Sequence, residues 1–177
     1  LNATARYERA DVGLAVCLGN RDGALDCARE LLRNHRRNLS EGLQLVKREG
    51  VTREENLQWF HAEDRIRETI VGIVAGMAVG SEGIDRGTPI VAFAEKTEDG
   101  DESEAGDDEV TEVKVSSRGT PNLTRKGLDL SVVMREASQA VGGDGGGHDV
   151  AAGATVPKGS EEEFVALADE LVGEQLG

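Results

Sequence analysis

With 177 residues and a net charge of −14, from 34 acids against 20 bases, the chain is large enough for one domain, or one domain with an appended piece, and is far more acidic than an ordinary nucleic-acid-binding surface. Hydrophobic residues make up 38% but aromatic ones only 3%, so a core must be built from Val, Leu, Ile and Ala. No apolar run approaches the roughly 18 residues that cross a bilayer, which argues against a membrane partner, and two cysteines without a disulfide framework make a cytoplasmic location the expectation.

The opening LNATARYERAD lacks the apolar stretch of about 7–15 residues that marks a signal peptide, and it does not begin with Met, as expected of a fragment or a trimmed chain. A short helix is expected near Val12 to Leu18. From Asp22 to Gly50 the residues Leu25, Ala28, Leu32, Leu39, Leu43 and Val46 recur at helical spacing around His35. Asp22 is the expected cap and Gly50 the expected stop of a helix near 25 residues, of the length that connects two lobes, with Arg29, Arg33, Arg36 and Arg37 on its polar face. Cys17 and Cys27 fall in apolar helical context and are read as two buried, reduced thiols rather than a disulfide or a zinc pair.

TREE at 52–55 has the form of a capping box, Thr52 capping and Glu55 at the third helical position, followed by the apolar contacts Leu57, Trp59, Phe60 and Ile66. Trp59 and Phe60 are packing anchors in this reading rather than a base-stacking platform. TIVGIVAGMAV, 69–79, is a buried strand or a buried helix by pattern alone. PIVAFAE after Pro89 reads as a strand, and so does VTEVKVSSRG at 110–119. Between them, residues 98–109 carry eight acids and no base, leaving a net of −6 on the rest. That segment reads as a solvated hairpin loop, since its spacing fits a calcium loop poorly. LDLSVVMREASQAVGG reads as an amphipathic helix, AAGATVP as a short helix end and then a strand, and SEEEFVALADELVGEQ as a helix capped by Ser160 with Glu163 at the third position. Strands interspersed with helices make the fold α/β, a mixed β-sheet covered by helices and preceded by a long connector helix.

The candidate site is GGDGGGHDVAAG, 142–153, with five glycines in its first six residues and one of three histidines. Glycine-rich backbone before a helix presents amides to an anion, aided by a partial charge of roughly +0.5 at the helix N-terminus. Gly145, Gly146, Gly147 and His148 are therefore read as a phosphate cradle, with Ala151, Ala152 and Gly153 seating a following helix on the sheet. Arg118, where a strand meets a loop, is a second cationic point. The Lys-poor, acid-rich composition fits a protein of high-salt surroundings, where screening weakens the objection of net charge to a nucleic-acid partner.

GGGHDVAAGA resembles the hallmark of the DHHA1 domain, the C-terminal substrate-binding half of the DHH-family phosphoesterases. LNATAR resembles the element with which RecJ-type single-strand exonucleases leave their catalytic domain, with Ala5 in place of the usual glycine. LLRNHRRNLSE resembles the Asn-x-x-Arg connector helix, through Asn34 and Arg37. IVGIVAGMAVGSEGIDRGTPIVAFAE resembles the strand–helix–strand of that group, and VKVSSRG its SxR strand; the acidic segment lies outside the pattern. The resemblance, nearest to an archaeal RecJ-like and halophilic kind, implies a strand to about Gly72 and then a helix. It implies a connector at 1–50 and a substrate-binding domain at 51–177. It also implies that Asn2 and Arg6 face an active site whose two Mn²⁺ or Mg²⁺ ions are held by a DHH domain. This sequence has no Asp-His-His triplet, so no metal site and no catalytic residue are expected in it. The implied partners are single-stranded nucleic acid or a short oligonucleotide, its own DHH domain, and replication or repair proteins. Two alternatives stay open: part of an oligoribonuclease or bisphosphate nucleotide phosphatase, or a non-catalytic interaction module.

Overall fold

The computed structural model describes residues 1–95 and 111–177, so the expected acidic loop at 98–109 lies outside the described residues. Three helices open the chain: α1 (Asn2–Arg6), α2 (Ala10–Cys17) and α3 (Gly23–Glu49). The long helix stops at Gly50, whose φ of +81° suits glycine. Asp22 stands at its N-terminus but makes no side-chain capping bond.

The sheet has six strands: β1 (Thr52–Arg53), β2 (Gln58–His61), β3 (Ile90–Glu95), β4 (Glu112–Arg118), β5 (Asp144–Gly147) and β6 (Ala151–Pro157). Their order is β1-β2-β3-β4-β6-β5. Only β2 and β3 run parallel; their crossover is the helix α4 (Glu68–Ala78). Helices α5 (Pro121–Arg125) and α6 (Leu130–Ala140) lie between β4 and β5, and α7 (Glu161–Leu176) closes the chain. This is the mixed sheet with helical cover that the sequence indicates.

Alternation along the strands divides the core in two. Val91 and Phe93 of β3, Val113 and Val115 of β4, and Ala152, Ala154 and Val156 of β6 pack against Met134 and Ala137 of α6 and Phe164, Val165 and Val172 of α7. Phe93 is its aromatic centre, edge-on to Trp59 and to Phe164 with centroids 5.8 and 5.9 Å away, and stacked on His61 at 5.6 Å. On the other face, Ile90, Ala92 and Ala94 meet Ile70, Val71, Val74 and Ala78 of α4 and Val46 of α3. A Cβ on Gly42 would stand 3.0 Å from Val74, so α3 and α4 are in close contact there.

Five expectations are corrected. Residues 52–55 are not a helix start: Thr52 and Arg53 pair with Trp59 and Gln58, and the Glu54 amide donates to the Leu57 carbonyl at 2.9 Å. The Asp169 carboxylate of α7 then accepts from the amides of Asn56 and Leu57, at 2.7 and 2.9 Å, so a tertiary partner overrides the local capping signal. Residues 68–78 are helical throughout, because Ile70, Val71, Val74, Ala75 and Ala78 recur on one buried face; the strand expected to Gly72 is supplied by Gln58–His61 instead. Ala151–Pro157 is all strand, with no helix after the glycine run. The capping box at Ser160 does not form: its hydroxyl donates to the Pro157 carbonyl, and Glu161 accepts from the Gly159 amide. Cys17 is exposed and Cys27 only half-buried, since the α2 surface at Leu14 and Leu18 is itself exposed, as is Leu32 of α3. Both thiols are free. Among the described residues no helix is long and apolar enough to cross a membrane.

Candidate phosphate-binding site

Alternation in β4 puts Lys114, Ser116 and Arg118 on the face away from the Phe93 core, toward α4. Arg118 is half-buried there, and its seat is made by glycine. A Cβ on Gly72 would come 2.5 Å from Nη2 of Arg118 and 3.0 Å from the Ser116 hydroxyl, while one on Gly76 would stand 3.7 Å from Cγ of Arg118. The arginine therefore lies lengthwise along α4, with its guanidinium over Gly72. Among the described residues its one hydrogen bond runs from Nη1 to the Ser117 carbonyl at 2.8 Å.

Arg6 reaches the same place from α1, donating from Nη1 to the Thr69 carbonyl at 2.9 Å. With Lys114, Ser116, Thr69 and Gly72 the two arginines line an open cleft of about 320 Å³, in which Glu68 is the single acidic residue among the described residues. Burial lowers the pKa of Arg118, and the nearby charge of Arg6 lowers it further. Among the described residues neither arginine is in an ion pair. Two cations facing each other, neither in an ion pair among the described residues, form a site that an anion would stabilise.

The glycine run lies two strands away on the same sheet. Ser116 pairs with Gly153, which pairs with Gly146; Ser117 pairs with Ala152, which pairs with Gly147. Gly146 and Gly153 thus continue the Ser116 face outward toward β5, the edge strand, as a shelf floored by backbone. The three glycines are not equivalent. A Cβ on Gly145 would meet the Met134 carbonyl at 2.6 Å, so that position packs against α6. Gly147 has φ +146° and its Cβ would strike Ala152. Gly146 is half-buried, but a Cβ there would meet nothing within 4 Å, so it alone of the three leaves open space above the shelf.

His148 is exposed in the tight turn that joins β5 to β6, its amide donating to the Ala151 carbonyl at 2.9 Å. The turn is tied to the end of β4, because the Gly119 amide donates to the Val150 carbonyl at 2.9 Å. The glycine run and Arg118 therefore share one end of the sheet, but no helix dipole backs His148; the amides belong to an edge hairpin. Asn2 is exposed on α1, and neither it nor His148 lines the Arg6–Arg118 cleft. The sequence reading missed Lys114 and Ser116, which the two-residue period of β4 marks, and the glycine seat, which a helical reading of 68–78 reveals. Among the described residues no group of three or more His, Cys, Asp or Glu could hold a metal ion.

The protein-family model of the DHHA1 domain matches residues 56–174. An uncharacterized protein of Methanocaldococcus jannaschii is 32% identical over 176 residues, which is 99% of this chain and 34% of that protein; the chain thus spans about a third of the length of this relative. Among solved structures, RecJ of Thermus thermophilus in complex with Mn²⁺ aligns over 98% of this chain and 23% of its own, at 17% identity and a TM-score of 0.67. The same protein in complex with Mg²⁺ aligns over 97% of this chain and 24% of its own, at 16% identity and a TM-score of 0.67.

Proposed function

The chain belongs to the DHHA1 domain family, and from that premise we propose that it grips single-stranded nucleic acid, or a short oligonucleotide, by its phosphates. In this reading it is the substrate-binding half of a RecJ-like DHH phosphoesterase or exonuclease. Residues 1–50 are its connector, and 51–177 its binding domain. The observation that carries the reading is Arg118: a half-buried guanidinium with no acidic partner among the described residues, opposite Arg6 in an open cleft, in a chain of net charge −14. A half-buried cation without an ion pair among the described residues of so acidic a protein is available to an external anion.

Arg118 and Arg6 hold one phosphate between them, Arg118 fixed in direction by the Gly72–Gly76 seat. The strand then runs over Ser116, Gly153 and Gly146, where the absence of side chains lets a sugar–phosphate chain approach the backbone. Gly145 and Gly147 shape the hairpin, and His148 at its tip donates to a further phosphate oxygen. Asn2 and Arg6 face the DHH domain, where Mn²⁺ or Mg²⁺ would activate water for phosphodiester hydrolysis. The residues of this chain bind and orient the strand.

The chain alone is expected to bind a fluorescent single-stranded decamer and to hydrolyse nothing. Arg118→Ala with His148→Ala should weaken that binding at least ~tenfold, since each bond to a charged group is worth about 1.5–3 kcal/mol. Equal affinity of wild type and double variant would remove these residues from the site. Divalent-dependent hydrolysis by the chain alone would move the reaction onto it. In the full-length protein, a decamer hydrolysed faster than a dinucleotide separates the exonuclease reading from that of an oligoribonuclease or bisphosphate nucleotide phosphatase.

A further inference from the structure

Arg118 lines a second cleft on its other side. This one is larger, about 560 Å³, and its walls include Arg86 before β3 and Arg125 of α5, together with Gly76, Gly119 and Asn122. Among the described residues no acidic side chain lines it, and neither Arg86 nor Arg125 is in an ion pair. Arg125 is held by its Nε bond to the Pro121 carbonyl at 3.1 Å. Arg86 lies against Gly80, whose Cβ would stand 3.1 Å from its Nε. Gly72 and Gly76 on α4 seat Arg118, and Gly80 in the turn after α4, at φ +81°, seats Arg86.

We propose that this Arg86–Arg118–Arg125 cleft is a second phosphate subsite, through which a single strand extends past Arg118, and that it makes the chain select polynucleotides over dinucleotides. Both clefts fall within the ~300–1000 Å³ range of ligand sites, so each has room for about one nucleotide unit. Arg118 belongs to both clefts, which makes them consecutive along one bound chain. The guanidiniums of Arg86 and Arg125, with Arg118 at the boundary of the two clefts, match a repeating monoanion, and arginine suits phosphate through its planar fork of donors. A dinucleotide without a terminal phosphate carries one phosphodiester and engages one cleft; a longer strand engages both.

This inference rests on the nucleic-acid reading above, and the experiment separates the two. Binding of fluorescent single-stranded 2-mers and 8-mers to the full chain is measured against salt for wild type, Arg86→Ala/Arg125→Ala and Arg118→Ala. Arg86 and Arg125 are exposed, so the double variant should unfold at the wild-type temperature. The double variant should bind the 8-mer ~tenfold more weakly. Its salt slope for the 8-mer should fall by about 1.4, at roughly 0.7 per lost phosphate contact. Its 2-mer affinity should stay at the wild-type value, whereas Arg118→Ala should weaken both lengths. An unchanged 8-mer affinity and slope in the double variant overturns the second subsite and leaves the first reading standing. Equal losses for 2-mer and 8-mer overturn the length selection. Displacement of the 8-mer by polyglutamate of matched charge overturns the phosphate assignment, and a wild type that binds neither length overturns both readings.

Discussion

The two faces of β4 carry opposite chemistry from alternate residues. Val113, Val115 and Ser117 look into a core closed by α6 and α7, where Ser117 satisfies its hydroxyl on the Ala152 carbonyl at 3.1 Å. Lys114, Ser116 and Arg118 look the other way, into clefts that α4 borders without filling. Glycine serves the two faces differently. On the closed face, Gly145 lets strand and helix touch. On the open face, Gly72 and Gly76 make room for a long cation, and Gly146 leaves backbone bare. One face builds stability, and the other holds charge ready for a ligand.

Substitutions should separate these roles. The largest effect is expected from Phe164→Ala, which opens the closed face beside Phe93 and should cost about 3–5 kcal/mol in chemical denaturation. Gly145→Ala forces a methyl against the Met134 carbonyl and should cost about 1–3 kcal/mol, whereas Gly146→Ala should change stability by less than about 0.5 kcal/mol. Similar losses at both positions would contradict the inequality of the two glycines. Gly72→Ala inverts the usual relation between stability and function. It should raise intrinsic helix stability by up to about 1 kcal/mol, yet weaken single-strand binding ~tenfold by pushing the guanidinium off its seat.

A more modest loss of stability depends on pH. Asp129 caps α6 by accepting from the Ser131 hydroxyl at 2.6 Å and the Ser131 amide at 2.9 Å, which hold its carboxyl below the ordinary value. Its contribution is complete above the ordinary carboxylate range and is lost as pH falls through the folded value. Asp129→Ala should cost about 1 kcal/mol at neutral pH and little in acid, which unfolding measured at both pH values checks.

The glycine run, the strand ending at Arg118 and the long Gly23–Glu49 helix were legible because each is marked by its own residues: a glycine cluster, a two-residue period, and a 3.6-residue period ended by glycine. The helix expected after His148 was not there, since a run of Ala and Gly has no period, and pairing with β4 on one side and β5 on the other made it a strand. TREE failed as a helix start for a related reason: the next two amides, of Asn56 and Leu57, are held by Asp169, more than a hundred residues away. Residues 69–79 are apolar on every side, so only the sheet beneath and α3 beside them settle the helix. Reading them as helical from the outset places Gly72 and Gly76 in one line, one turn apart. The clefts stayed hidden because they are assembled from α1, α4, α5, β4 and the segment before β3.

The central claim is that Arg118 is held for a phosphate, and salt-dependent binding of a single-stranded 8-mer by wild type and Arg118→Ala tests it most directly. The account predicts at least ~tenfold weaker binding by the variant, a salt slope lower by about 0.7, and an unchanged unfolding temperature. Equal affinity and equal slope for the two proteins would contradict it.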